Sequence, residues 1–194
     1  MKKIEVDRNV KALIFDCDGT LADTMPTHMK AWERSLSDFH GLFKEPFFDS
    51  LKGMADEDIM VEYNKRFHTA LDPRQVAQRK ADYVLQELPG IQPVKPVVDV
   101  FYRYQGVLPM AVVSGGRRNL VLRTLEAIRL GRSFDVILTA DDPFAPKPAP
   151  DIFFEAARRL GVAPSLCQVF EDGDVGLNAA RAAGMVTTDI RLFL

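Results

Sequence analysis

From about residue 94 onward the chain alternates short apolar runs with helical stripes, and this alternation restricts the fold more than any other feature. Residues 94–104 predict a helix and 107–113 a strand, despite Pro109. Leu120, Val121, Leu125 and Ile128 mark a helix that Gly131 is expected to stop. Residues 134–138 predict a strand, 151–160 a helix closed by Gly161, and 168–170 a short strand. Residues 176–183 then form a helix closed by Gly184, and 185–190 a last strand. An earlier run, Val10-Lys-Ala-Leu-Ile-Phe15, reads as a further buried strand. Strands joined through helices by short loops lie parallel in a sheet covered on both faces. The expected fold class is α/β, a doubly wound parallel sheet.

Residues 26–88 break that rhythm, with no strand-like run and several amphipathic stripes. His28, Trp32, Leu36 and Phe39 share one helix face. Ile59, Tyr63 and Phe67 repeat the pattern after the acidic turn Asp56-Glu57-Asp58. Asp72 and Pro73 read as the N-cap and first residue of a helix whose apolar face is Ala77, Ala81, Val84, Leu85 and Leu88. Pro89-Gly90 ends it. An all-helical insert, residues 24–88, is expected within a core made of residues 1–23 and 89–194.

Composition excludes several classes of function. With 47% apolar and 27% charged residues, the chain can bury a core and is not a disordered tract. Its 25 basic and 27 acidic residues leave a net charge of -2, so a nucleic-acid partner is not expected. Cys17 and Cys167 suit neither a disulfide framework nor a zinc site. The start, Met1-Lys-Lys-Ile-Glu-Val-Asp-Arg-Asn, lacks the apolar run of a signal peptide, and no stretch is long enough for a membrane span. A monomer in reducing cytoplasm, without a membrane partner, is the expectation.

In open parallel sheets, ligands bind beyond the carboxyl ends of the strands. Asp16-Cys17-Asp18-Gly19-Thr20 follows the first strand and Ser114-Gly115-Gly116 the second. A proline-rich loop carrying Lys147 follows the third, and Glu171-Asp172-Gly173-Asp174 ends the fourth. Carboxylates, a hydroxyl and a lysine on one rim suit a divalent cation and a phosphate. Oxygen ligands such as Asp16 and Asp172 suit Mg²⁺. Lys147 and Ser114 suit the phosphate oxygens. Asp16 and Asp18 lie two apart and can face the same side, one as nucleophile and one as proton carrier. For the second role Asp18 is expected to carry a raised pKa. Asp174 is expected to support the metal ligands rather than bind. His28 and Trp32 serve either the site or the core of the insert. Cys17 is expected to be buried packing, and His40 and His68 surface residues.

These motifs, Asp16-x-Asp18-Gly-Thr-Leu, Ser114, Lys147-Pro-Ala-Pro-Asp151 and Glu171-Asp172, resemble in order the four motifs of the haloacid dehalogenase superfamily. Asp23-Thr24, His28 and Trp32 look like the entry into the helical cap of its β-phosphoglucomutase-like branch. A calcium loop beginning at Asp16 would need Glu at its twelfth position, where Thr27 stands. The resemblance implies a Rossmann-like core with an inserted cap. It implies Asp16 as nucleophile of a phosphoaspartate and Asp18 as general acid and base. Mg²⁺ would be held by Asp16, the Asp18 carbonyl and Asp172, with Glu171 assisting. Ser114, Gly115 and Lys147 would hold the phosphoryl group. The cap, with His28, Trp32, Lys52 and Gly53, would close over a small phosphorylated metabolite.

The mutases of that branch carry Lys-Gly-Val-Ser-Arg-Glu-Asp in the cap, with the arginine on the second phosphate. Here the run is Lys52-Gly53-Met54-Ala55-Asp56-Glu57-Asp58, so a carboxylate stands in that place, expected to repel a second phosphate. Lys52 is expected to be partly neutralised by the acidic run after it. Arg117 and Arg118 replace the residues after the mutases' second serine, in directions the sequence does not give. The chain's close is similar to bacterial fructose-1-phosphate and 6-phosphogluconate phosphatases. A Mg²⁺-dependent sugar phosphatase is therefore expected. A phosphohexomutase and a catalytically idle binding module remain the alternatives.

Overall fold

Strand β1 (Ala12–Phe15) is buried along its whole length, as an uninterrupted apolar run in a parallel sheet requires. The computed structural model describes residues 3–194, so Met1 and Lys2, the first residues of the polar N-terminal stretch, lie outside it. After β1 come four helices, α1 (Met25–Asp38), α2 (Glu45–Ser50), α3 (Asp56–Phe67) and α4 (Pro73–Glu87). The chain then alternates through α5 (Lys95–Tyr104), β2 (Met110–Val113), α6 (Arg118–Ala127) and β3 (Val136–Leu138). It closes with α7 (Asp151–Leu160), β4 (Cys167–Glu171), α8 (Asp174–Ala182) and β5 (Val186–Asp189). All five strands pair in parallel, in the order β3-β2-β1-β4-β5. The α/β expectation holds.

Alternate residues of each strand serve opposite faces, and both faces are covered. Leu13 and Phe15 join Val112 and Phe170 under α5 and α6, against Val97, Phe101, Val121 and Leu125. Ala12 and Ile14 face the other way, against Phe153, Ala156, Ala179 and Ala180 of α7 and α8. Phe15 stacks on Phe170 with ring centroids 4.9 Å apart, fastening β1 to β4 below the rim. Burying such a ring contributes about 1.5–3 kcal/mol. The helical region has a core of its own in Trp32, Leu36, Phe48, Ile59, Met60, Tyr63 and Val76.

Several boundaries differ from the sequence reading. β2 begins at Met110, because Pro109 has no N–H and the Val107 and Leu108 N–H groups turn back to the Tyr104 carbonyl. Arg129, at φ 64°, ends α6 in place of Gly131, while the Leu130 N–H returns to the Leu125 carbonyl. β5 stops at Asp189, whose carboxylate accepts the Arg191 N–H and starts a final turn. The Asp72 side chain caps α4 as expected, accepting from the Arg74 and Gln75 N–H groups. Helix α2 is six residues long, too short for a periodicity to announce it. Among the described residues, no helix is long and apolar enough to cross a membrane.

Candidate active site

The site lies where the sheet changes direction. From β1 the chain proceeds to β2 and β3 on one side, then crosses to β4 and β5 on the other. Loops leaving β1 and β4 therefore part at the rim, the position where such sheets open a crevice. Register puts Phe15 beside Phe170, so Asp16 emerges next to Glu171 and its N–H bonds the Phe170 carbonyl at 3.0 Å.

Lys147 is the hub. Its ammonium lies 2.8 Å from Asp16 Oδ1, 2.8 Å from Glu171 Oε1 and 3.0 Å from the Val113 carbonyl. All three of its hydrogens thus have protein acceptors, and the residue is 2% exposed. The other Glu171 oxygen accepts the Gly173 N–H at 2.7 Å. Asp172 accepts from the Thr20 hydroxyl at 3.0 Å. Two glycines make room for these carboxylates. A Cβ on Gly19, which sits at φ +84°, would overlap Asp172, and a Cβ on Gly176 would overlap Glu171.

Asp16, Glu171 and Asp172 offer ligand oxygens within 4.8 Å of one another. Three buried carboxylates against one ammonium leave the centre short of positive charge. Burial, reinforced by Glu171, pushes Asp172 up to about 7, against the opposing pull of Thr20, Lys52 and Lys147. Asp16 is raised well above the usual range by burial, with Lys147 opposing and the neighbouring carboxylates adding. Burial disfavours the Lys147 charge, but Asp16 and Glu171 outweigh it and hold the ammonium protonated. A divalent cation supplies the charge this oxygen-only donor set lacks, so the residues fit a metal.

Asp18 departs from expectation. Its carboxylate turns toward the helical region, where Oδ1 accepts from the Thr24 hydroxyl at 2.8 Å and meets His28 Nε2 at 3.1 Å. Burial alone would raise its pKa, but His28 and Thr24 more than offset it and hold it at about 2. The sequence reading, which expected a raised pKa, named Thr24 and His28 but did not pair them with Asp18. His28 accordingly belongs to the site. Trp32 both stacks on Phe48, at 4.9 Å, and lines the cavity above Asp16. Ser114, just past β2, accepts the Gly116 N–H at 3.0 Å, which leaves its own hydrogen available.

The loop with Lys52 and Gly53 covers the rim. A Cβ on Gly115 would strike the Gly53 carbonyl, and one on Gly173 would stand 2.8 Å from the Lys52 carbonyl. Lys52 pairs with Asp49, which precedes it, rather than with the acidic run that follows. Beneath lies a cavity of about 50 Å³.

Other expected residues fall elsewhere. Asp174, expected to support the metal ligands, is exposed and pairs with Arg191. Arg118 pairs with Asp142, and Arg117 reaches Glu57 of α3 and Gln78 of α4. Cys17 is buried packing, and His40 and His68 are exposed. The sequence reading also missed Lys80. It reaches the cavity from α4 and pairs with Asp56, so the carboxylate expected to stand unopposed is neutralised. The available signal was a lysine four residues after Val76 on a buried stripe that also holds Ala77, Ala81 and Val84.

Comparison with known proteins agrees with this arrangement. A family model described as haloacid dehalogenase-like hydrolase matches residues 10–184. The fructose-1-phosphate phosphatase YqaB of Escherichia coli is 39% identical over 181 residues, spanning 93% of this chain and 96% of that protein. A hydrolase from Pseudomonas syringae superposes with a TM-score of 0.85 at 22% identity, over 91% of this chain and 83% of that one, a likeness of fold. The β-phosphoglucomutase of Clostridium difficile superposes with a TM-score of 0.78 at 25% identity, over 92% and 83% of the two chains. The chain belongs to the haloacid dehalogenase-like hydrolases and is an enzyme of the phosphatase type within their β-phosphoglucomutase-like branch.

Proposed function

We propose that this enzyme hydrolyses a small sugar monophosphate through a phosphoaspartate on Asp16, with Mg²⁺ as its metal. The observation that carries this reading is the buried meeting of Asp16, Lys147 and Asp172 at the β1 exit, with Asp18 fastened two residues away. The similarity to a fructose-1-phosphate phosphatase supports a sugar as the substrate's organic part. We divide the chain into a core, residues 1–23 and 89–194, and a cap, residues 24–88. A reducing compartment suits buried, free Cys17 and Cys167, and the near-balanced charge suits a protein that engages no nucleic acid.

Lys147 holds Asp16 Oδ1, which fixes the carboxylate and leaves its other oxygen to attack phosphorus. The P–O bond to the sugar breaks as the new P–O bond to Asp16 forms. Asp18 protonates the departing alkoxide. An arriving phosphate dianion raises the Asp18 pKa by like-charge repulsion, which supplies the protonated form that the free site disfavours. Asp18 then takes a proton from water, and that water attacks the phosphoaspartate, releasing phosphate and restoring Asp16. The Ser114 hydroxyl, with the backbone at Gly115, donates to the transferring group. Asp16, the Asp18 carbonyl and Asp172, with Glu171 adjacent, would hold Mg²⁺, which would offset the repulsion between carboxylate and phosphate.

Phosphate release over a panel of sugar monophosphates tests this. Release is expected with Mg²⁺, with loss in excess chelator and inhibition by Ca²⁺, whose looser coordination misplaces the nucleophile. Undiminished release in chelator excludes the metal-dependent reading. Phosphorus NMR separates hydrolysis from mutase chemistry: isomerised hexose phosphate outpacing free phosphate would overturn the assignment.

A further inference from the structure

Among the described residues, accessible sulfur is confined to the catalytic cavity. Of the chain's seven methionines, Met1 lies outside the described residues, and Met60, Met110 and Met185 are buried, at 0%, 2% and 6% exposure. The remaining three, Met25, Met29 and Met54, are partly exposed, and all three line the cavity that takes in Asp16, Asp18 and Ser114. The cysteines compete poorly for an oxidant. Cys17 and Cys167 are buried, and the Cys167 thiol faces the Ala163 carbonyl at 3.5 Å. Burial pushes the Cys17 thiol well up, with Asp18 and Asp16 adding and Lys147 opposing. Burial also pushes Cys167 up to about 11. A thiol reacts with peroxides as its thiolate, whereas a thioether has no proton to lose and needs only access.

Met25 is the first residue of α1 and Met29 follows four positions on, so the two share a helix face. A Cβ on Gly19 would strike Met25 Cγ, at 2.8 Å, as well as the Asp172 carboxylate, so Met25 lies against the turn after β1, beside Asp172. Met29 and Met54 pack instead on the core of the helical region. We propose that these three thioethers, Met25 foremost, form an oxidative modification site through which hydrogen peroxide switches the enzyme off. The sulfur lone pair attacks one peroxide oxygen, and the S–O bond forms as the O–O bond breaks. The departing hydroxide takes the proton from the transferred oxygen and leaves as water. Sulfur is thereby oxidised to the sulfoxide, and the peroxide is reduced. On Met25 the new oxygen adds an acceptor where Asp16, Glu171 and Asp172 already crowd. On Met29 and Met54 it forces a polar group into apolar packing.

Peptide mass spectrometry of the wild-type protein after graded hydrogen peroxide tests this, with phosphate release followed in parallel. Met25, Met29 and Met54 are expected to gain oxygen about tenfold faster than Met60, Met110 and Met185, and before either cysteine. Unfolding in urea should erase the difference, since it rests on burial. Phosphate release should fall in step with the Met25 sulfoxide and stay low in dithiothreitol. It should return with the two methionine sulfoxide reductases, one for each epimer. Met25→Leu, a swap of similar volume, should keep the larger share of its own untreated rate through the same exposure. Cys17→Ala should lose its rate as the wild type does. Oxygen gained first by a buried methionine, recovery in dithiothreitol alone, full turnover with Met25 oxidised, or equal loss in Met25→Leu overturns the proposal. The order of oxidation is read without turnover. A protein that releases no phosphate therefore sinks the hydrolytic reading, while the mass spectra still decide the modification site.

Discussion

Asp16 and Asp18 are both aspartates at one strand exit, and their partners differ. Lys147 grips one oxygen of Asp16, while Thr24 and His28 grip Asp18. Asp16→Asn is expected to abolish phosphate release with the fold intact, and Asp18→Asn to slow it about 10²–10⁴-fold through loss of proton transfer. Steady-state rates with circular dichroism check both, and near-wild-type turnover of Asp16→Asn would rule out the covalent route. Asp172 gives a pH dependence. In the metal-free protein its pKa stands at about 7 against an ordinary 3.8, so between those values the folded state holds a proton that the unfolded chain has released. Stability conferred by that proton is complete below the unfolded value and is lost as pH rises toward 7. Melting temperature in chelator should therefore fall from pH 5 to pH 7, and Mg²⁺ should restore it most at the upper end. Asp172→Asn should flatten the slope; an unchanged slope would remove Asp172 as its source.

At the scale of elements, α8 and the β1 exit are built around carboxylates that need absent side chains. Gly176 lies in the first turn of α8, with the Glu171 carboxylate over its Cα. Gly176→Ala must displace Glu171, which also holds Lys147, so the damage reaches Asp16 through two hydrogen bonds. The expected cost is about 1–3 kcal/mol of stability, as for an overpacked core site, with a fall in turnover. Urea unfolding and phosphate release measure the two effects, and wild-type values in both would refute this account of the glycine. Helix α6, on the opposite face of the sheet from α8, carries the other consequence of element placement. Its N-cap, Arg117, reaches out of the core to the cap.

Core and cap meet in the whole molecule through that arginine, which bonds Glu57 on α3 and Gln78 on α4. These three groups tie the helical region to the core, so any separation of the two must release them. The Arg117–Glu57 pair is partly exposed and worth little, on the order of 0–1 kcal/mol. Arg117→Ala is accordingly expected to raise KM no more than about fivefold, with the difference from wild type shrinking at high salt. Kinetics at low and high ionic strength check it. A large loss of kcat with KM unchanged would place Arg117 in the chemistry instead.

The alternation of strands and helices, and the polar residues after each strand, were legible because they follow from local periodicity and from the rule that parallel strands end in loops on one rim. Asp16, Ser114, Lys147, Glu171 and Asp172 could thus be assigned to one place before any coordinate was known. Helix α2 and the end of α6 were not legible. Six residues carry too little periodicity, and the left-handed Arg129 has no chemical mark in the sequence. The state of Asp18 depended on His28 and Thr24, and that of Asp56 on Lys80, 24 residues away. Sequence determined which ionisable groups line the rim, since strand ends place them. Only the tertiary structure decided their charge partners, because electrostatic pairing depends on distances across elements that spacing along the chain does not encode.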